Sequence, residues 1–299
     1  MAPGPAPLFD PDRAPHRQDR ARGTSRPLST RSSPQAAIRV GTSSWTDPGF
    51  LRYWYPKGLS PAERLAFYAE RFDCVELNAS FYALPAERQA ELWAERTPDR
   101  FLFDVKLHRY LSHHATEPEA LPADLREACE LDERGHLVRD PELERELARR
   151  LRGATAPLAE RDKLGGFLLQ LTPGFSPRRN RLSELDPILE ELEPVAVEFR
   201  HRGWVEGERL RDVLPYLRER EAAFVGVDSP RGEHLTILPP LDAVTSRRLA
   251  YLRCHGRNLD GYLHGRASPS ASTTTTPTAN SRRLPSAPAS SPTRPRRSM

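Results

Sequence analysis

From residue 37 onward, short apolar runs of β-type residues alternate with longer stretches whose apolar positions recur at helical spacing. Seven of the short runs read as strands, at 38–45, 74–82, 101–108, 166–171, 195–204, 222–228 and 249–256. Ser60-Pro61-Ala62-Glu63 opens a helix with an N-cap, a proline at the first helical position and a glutamate at the third. A second helix runs through Trp93 and stops at Thr97-Pro98, and others are expected near 183–192 and 207–219. The stretch 108–163, dominated by Glu, Arg, Ala and Leu, is too long for a simple connection and reads as an inserted loop with one or two helices. Parallel-type strands separated by helical segments predict an α/β chain folded as a TIM-like (β/α) barrel.

Strand parity then sorts the side chains. In the fifth run, Ala196, Glu198 and Arg200 share one face while Val197, Phe199 and His201 share the other. A carboxylate and a guanidinium on a buried strand are costly unless they pair, meet other polar groups or face a ligand. The same parity groups Glu76 with Asn78, Asp104 with Lys106, Gln170 with Thr172 and Arg253 with His255, and Asp228 ends the sixth run. All lie toward the carboxyl ends of their strands, where this architecture places its active sites.

Charge and composition separate the ends from this body. Residues 1–36 and 265–299 are rich in Pro, Ser, Thr, Ala and Arg and are expected to be disordered. The first carries six Arg against three Asp and the second six Arg and no acid, so a chain of formal charge +4 leaves −5 for 37–264. A basic face for specific nucleic-acid binding is therefore not expected. Three cysteines without metal-ligand spacing argue against a disulfide framework, and no apolar run approaches the roughly 18 residues of a membrane span. A cytoplasmic protein is the expectation.

The segments VGTSSW, VELNASFY, FDVKLHRYLSHH, LLQLTPGF, VEFRHRGW, VDSP and YLRCHGRN, in this order, resemble the YecE-like family of TIM-barrel proteins, domain of unknown function 72. The resemblance covers about 38–264. It implies the TIM-like fold and brings no established reaction. It also implies one more helix and an eighth strand, where this chain turns to Ser, Thr, Pro and Arg. The expectation is an incomplete barrel of seven strands, ended by a frameshifted or truncated tail, with unpaired backbone at the edges of the first and seventh strands.

Glu76 and Glu198 are candidates for an acid and base pair, or else for structural carboxylates bridged by Arg200 and Arg253. Lys106, one of three lysines in the chain, could serve as a neutral amine or Schiff-base nucleophile, or sit in an ion pair with Asp104 or Glu76. Arg200 and Arg253 suit an anionic group, and His255 suits a base, an acid or a metal ligand. Asn78, Gln170 and Asp228 join them as ligand contacts. Trp45, in an aromatic group with Phe50, Tyr53, Trp54 and Tyr55, could stack on a ligand or pack the loop. His113 and His114 are expected to be exposed or capping. Glu76, Glu198, Asp228 and His255 could hold a divalent ion, although no local motif points to a particular cofactor. Together these imply a small polar or anionic substrate and acid/base chemistry of hydrolase or lyase type. The alternatives are a non-catalytic ligand-binding or scaffold barrel and a non-functional truncated product.

Overall fold

The structure is a computed structural model that describes residues 37–127 and 129–264, so the expectations for the two ends of the chain lie outside the described residues. In chain order the regular elements are β1 (Gly41–Thr42), α1 (Pro61–Ala69), β2 (Cys74–Leu77), α2 (Glu87–Glu95), β3 (Leu102–Lys106), α3 (Pro141–Ala154) and α4 (Ala156–Ala159). There follow β4 (Leu164–Gln170), α5 (Asp186–Leu189), β5 (Val195–Glu198), α6 (Arg209–Glu219), β6 (Ala223–Asp228), β7 (Tyr251–Cys254) and α7 (Leu259–His264). The seven strands form one sheet in the order β1 to β7, every pair parallel. All seven apolar runs thus became strands, in the order and direction of a (β/α) barrel.

Local chemistry explains the elements. Glu63 accepts from the Ser60 backbone N–H at 2.9 Å and from its hydroxyl at 2.5 Å, which fixes the start of α1. Gly41 is required where β1 meets β2: a Cβ there would lie 2.2 Å from the carbonyl oxygen of Cys74. On the strands, Val75, Leu77, Phe103, Val105, Phe167, Leu169, Val195, Val197 and Phe224 join the core under the helices. The opposite parity packs Leu168, Ala196, Ala223, Val225 and Val227 against one another inside the curl of the sheet. One face of each strand therefore meets helices and the other fills the interior, which is why the runs read as apolar throughout.

The stretch 108–163 is only partly an insertion. Leu147, Ala148 and Leu151 of α3 are buried in the helix-side core, as is Leu158 of α4, so this half supplies the helix layer between β3 and β4. The true excess is 108–140, and it is folded inward: Tyr110, Leu111, Leu121 and Leu137 are buried with it.

Lys163 ends this connection with a buried ammonium that donates to the carbonyl oxygens of Ala94 and Thr97, both at 2.6 Å, and to the Thr97 hydroxyl at 3.2 Å. It satisfies carbonyls that the end of α2 leaves free. Lys163→Met should lower stability by about 2 kcal/mol in urea unfolding, the cost of orphaning these acceptors. An unchanged midpoint would deny the role.

Beyond β6 the helix side is barer. On β7, Leu252 is 67% exposed, and Cys254, whose parity opposite to that of Arg253 and His255 reads in the sequence as that of a small core residue, is exposed as well.

Candidate functional site

Arg253 is the hub of the interior. It projects from β7 across the curl of the sheet and clasps Glu76 of β2 bidentately, Nε to Oε1 at 2.8 Å and Nη2 to Oε2 at 2.8 Å. Its Nη1 donates to Oε2 of Glu198, on β5, at 2.5 Å. Glu198 is completely buried and densely held. Gln170 Nε2 donates to its Oε2 at 2.9 Å, His255 Nε2 lies 3.2 Å from its Oε1, and Arg200 Nη1 lies 3.6 Å from the same oxygen. Burial alone would raise the Glu198 carboxyl, but the Arg253 guanidinium and the other donors outweigh it and hold the group far below the usual carboxylate range. Such a carboxylate is a fixed anion that aims Arg253 and His255; it is a poor proton acceptor.

A second layer sits beside the hub. Tyr251 Oη lies 3.2 Å from Glu76 Oε1 and 3.2 Å from Asp104 Oδ2, although a phenol has one proton to give. Both contacts are therefore hydrogen bonds only when one of the two carboxyl groups carries a proton. Burial, and then the charge of Glu76 opposite it in the strand register, push Asp104 up to about 7. Lys106, two residues on, has no hydrogen-bonding partner for its ammonium among the described residues. The Nζ lies 4.6 Å from the centre of the Phe81 ring, a cation–π contact. Burial, and then Arg253, lower it to about 8.

The insertion closes one side of this group. His114 meets the Phe81 ring edge-on at 5.0 Å, and its Nε2 is buried without a hydrogen bond. Burial, and then the charges of Lys106, Arg109 and Arg200, push its pKa down to about 4. Arg200 makes one long hydrogen bond, Nη2 to Tyr262 Oη at 3.4 Å, and its Nε is likewise buried without a partner.

Comparison with known proteins sets this geometry in a family. Residues 39–283 match the family described as "Protein of unknown function DUF72", a match that runs past His264, where the resemblance of the motifs ends. The chain belongs to the DUF72 family. It is 26% identical over 229 residues to the UPF0759 protein YunF of Bacillus subtilis (strain 168), covering 76% of this chain and 72% of that one. Its identity to the UPF0759 protein YecE of Escherichia coli (strain K12) is 31% over 196 residues, 64% of this chain, which spans 59% of YecE. A crystal structure of a DUF72 family protein from Thermotoga maritima MSB8 superposes with a TM-score of 0.58 at 28% identity, covering 76% of this chain and 77% of that one. One from Enterococcus faecalis V583 gives 0.61 at 25% identity, with 77% and 75% covered.

Within this DUF72 chain, Glu76, Lys106, Gln170, Glu198, Arg200, Arg253 and His255 lie in the one cluster that their parity predicted. Three other candidates are placed elsewhere. Asp228 follows the parity of Phe224, not that of Val225 and Val227, and its carboxylate pairs with Arg257 at 2.6 Å on the exposed rim. Asn78 leaves the strand for a short helical turn and gives its amide to the backbone carbonyl of Ser43. Trp45 packs edge-on against Trp93 at 6.1 Å in the helix-side core, and Phe50 and Trp54 fold onto Tyr68 and Phe72 of the α1 region. The four-residue ion site does not assemble either, because Arg253 lies between the two glutamates and Asp228 points away; among the described residues no group of three or more His, Cys, Asp and Glu could hold a metal. His113 and His114 are half-buried or deeper, against Phe175 and Phe81, so the exposed reading of that pair is overturned.

Three members of the cluster escape the sequence pattern: Tyr251, Asp104 in its protonated role, and His114. Tyr251 shares the parity of Arg253 and is found by extending that face one step back. Nothing in the sequence marks His114, since it reaches the cluster through a loop. No helix among the described residues is long and apolar enough to cross a membrane.

Proposed function

We infer that the interior of the barrel binds a small anionic molecule and performs proton transfer on it, with Lys106 as the group that exchanges the proton. The observation that carries this reading is the uncommitted ammonium of Lys106. Both glutamates that could neutralise it are already engaged by Arg253, so a desolvated cation is held beside them with only an aromatic face for company. A largely desolvated ammonium without a hydrogen-bonding partner is costly unless a ligand supplies its counter-charge or the site needs a neutral amine near pH 8. His255, 3.2 Å from Glu198, would serve as the complementary acid or base, and Arg253 is the scaffold that holds both carboxylates. A proton abstraction or lyase-type reaction fits this pair better than hydrolysis between two carboxylates, because Glu198 is held as a fixed anion. The free thiols of Cys74, Cys129 and Cys254 support a reducing, cytoplasmic setting.

The test is capture of anionic metabolites from a small-molecule extract on the full chain, followed by mass spectrometry of what is retained and what is converted. Lys106→Met should reduce retention by roughly tenfold or more, the loss of one charge-assisted contact. Lys106→Arg should restore binding without turnover, since a guanidinium cannot yield a neutral base. In the wild type, turnover should rise toward pH 8 as the amine is freed. A Lys106→Met variant that binds and converts like wild type removes the proposal. Retention of unchanged ligand by the wild type favours the non-catalytic barrel.

A further inference from the structure

Three nitrogens without a hydrogen-bonding partner among the described residues come from three different parts of the chain: Lys106 Nζ of β3, over the Phe81 ring, and the buried Arg200 Nε and His114 Nε2, from the segment after β5 and from the insertion. Lys106 and His114 both lie within 5.0 Å of the same ring, and the charges of Lys106 and Arg200 both bear on the His114 imidazole. Polar nitrogens withdrawn from water without a partner are rare and call for one. The hub's carboxylates are already committed elsewhere: the Glu76 and Glu198 oxygens accept from Arg253, Gln170, His255 and Tyr251.

We propose that His114, Lys106 and Arg200 form a receptor for a phosphate group, so that the ligand of this chain is a phosphorylated small molecule. This rests on the functional reading above and narrows it to a substrate class. Two features favour phosphate over carboxylate. A carboxylate offers two coplanar oxygens, which suit one guanidinium fork, whereas donors converging from three elements match the several out-of-plane oxygens of a tetrahedral anion. The charge count points the same way. Glu76 and Glu198 against Arg253, Arg200 and Lys106 leave one positive charge in excess while Asp104 is protonated, and a phosphate carrying one to two negative charges balances it. The ring nitrogen of His114 accepts from, or donates to, a phosphate oxygen according to that oxygen's own protonation. The insertion thereby brings a recognition residue to a site otherwise built from strands.

The experiment is titration of the full chain with inorganic phosphate and, separately, with malonate, followed by calorimetry, and repeated on His114→Phe and Arg200→Met. His114→Phe keeps the ring packing on Phe81, Arg200→Met keeps the stem, and a melting curve on each variant verifies that it is folded. The expected result is saturable phosphate binding in the wild type, weaker malonate binding, and a loss of phosphate affinity of about tenfold or more in each variant. If Arg200→Met fails to fold, His114→Phe alone decides. Malonate bound as tightly as phosphate, or a His114→Phe variant with wild-type phosphate affinity, overturns the phosphate assignment while leaving an anion site at Lys106 intact. Binding of neither anion by the wild type overturns this inference, and the functional reading falls with it when Lys106→Met also leaves metabolite capture and conversion unchanged.

Discussion

Replacing Arg253 by methionine should cost about 3–5 kcal/mol, the penalty of breaking a buried ion pair from one side. The guanidinium holds two carboxylates that have no comparable substitute: Glu76 would retain only the Tyr251 hydroxyl, and Glu198, with no exposed surface, would retain Gln170, His255 and a more distant Arg200. For a folded body of more than 200 residues, that loss lowers the melting temperature by roughly 10 °C. The methionine fills much of the arginine stem's volume, so the effect is electrostatic and not that of a void. The diagnostic comparison is the double variant Arg253→Met with Glu198→Gln. If the cost comes from the stranded charge, the double variant should recover a good part of it, a non-additivity that urea unfolding resolves. A single variant within about 1 kcal/mol of wild type, or a double variant less stable than the sum of the singles, would show that Arg253 is not the hub.

Why so much of this is legible in the sequence, and where legibility stops, follows from the two kinds of constraint in the chain. The strands are readable because burial on both faces demands unbroken apolar runs, and the charges that interrupt them stand at fixed parity. Glu76, Lys106, Glu198 and Arg253 can therefore be grouped without knowing any distance. Parity fails where a strand ends. Asn78 has already turned into a helical turn, and Asp228 belongs to the outward series of Phe224. Parity also says nothing about which partner a charge takes. On parity alone Glu198 is a candidate proton carrier, yet four donors from β4, β7 and the segments after β5 and β7 surround it, a circumstance that only the curl of the sheet creates. His114 lies beyond any periodic argument, because an irregular segment delivers it.

The largest expected gain in stability comes from Asp104→Asn. Asp104 is raised from 3.8 to about 7 by burial and by Glu76. Because its folded value lies above the unfolded one, the folded chain binds more protons between about pH 4 and 7, so stability falls as pH rises through that window and the cost is fully present above it. A rise of that size corresponds to about 4 kcal/mol as a ceiling. Asparagine keeps an amide in reach of Tyr251 and has no charge to expose to Glu76, so the variant should be about 2–4 kcal/mol more stable than wild type at pH 8. Glu144, raised to about 7 by burial, contributes a fall in the same window, so the variant should lose part of the wild-type slope and not all of it. At higher pH the sign reverses for another group. Lys106 is lowered from 10.5 to about 8, so the unfolded chain binds more protons between those values and stability climbs with pH there. In urea unfolding across pH 4 to 10, the stability difference between Asp104→Asn and wild type should therefore grow as pH rises from about 4 to 7 and stay constant above that, because every other titrating group, Lys106 among them, is common to both chains. An Asp104→Asn profile that parallels wild type at every pH would mean that Asp104 is ionised throughout, and that Tyr251 does not join two carboxyl groups through a shared proton.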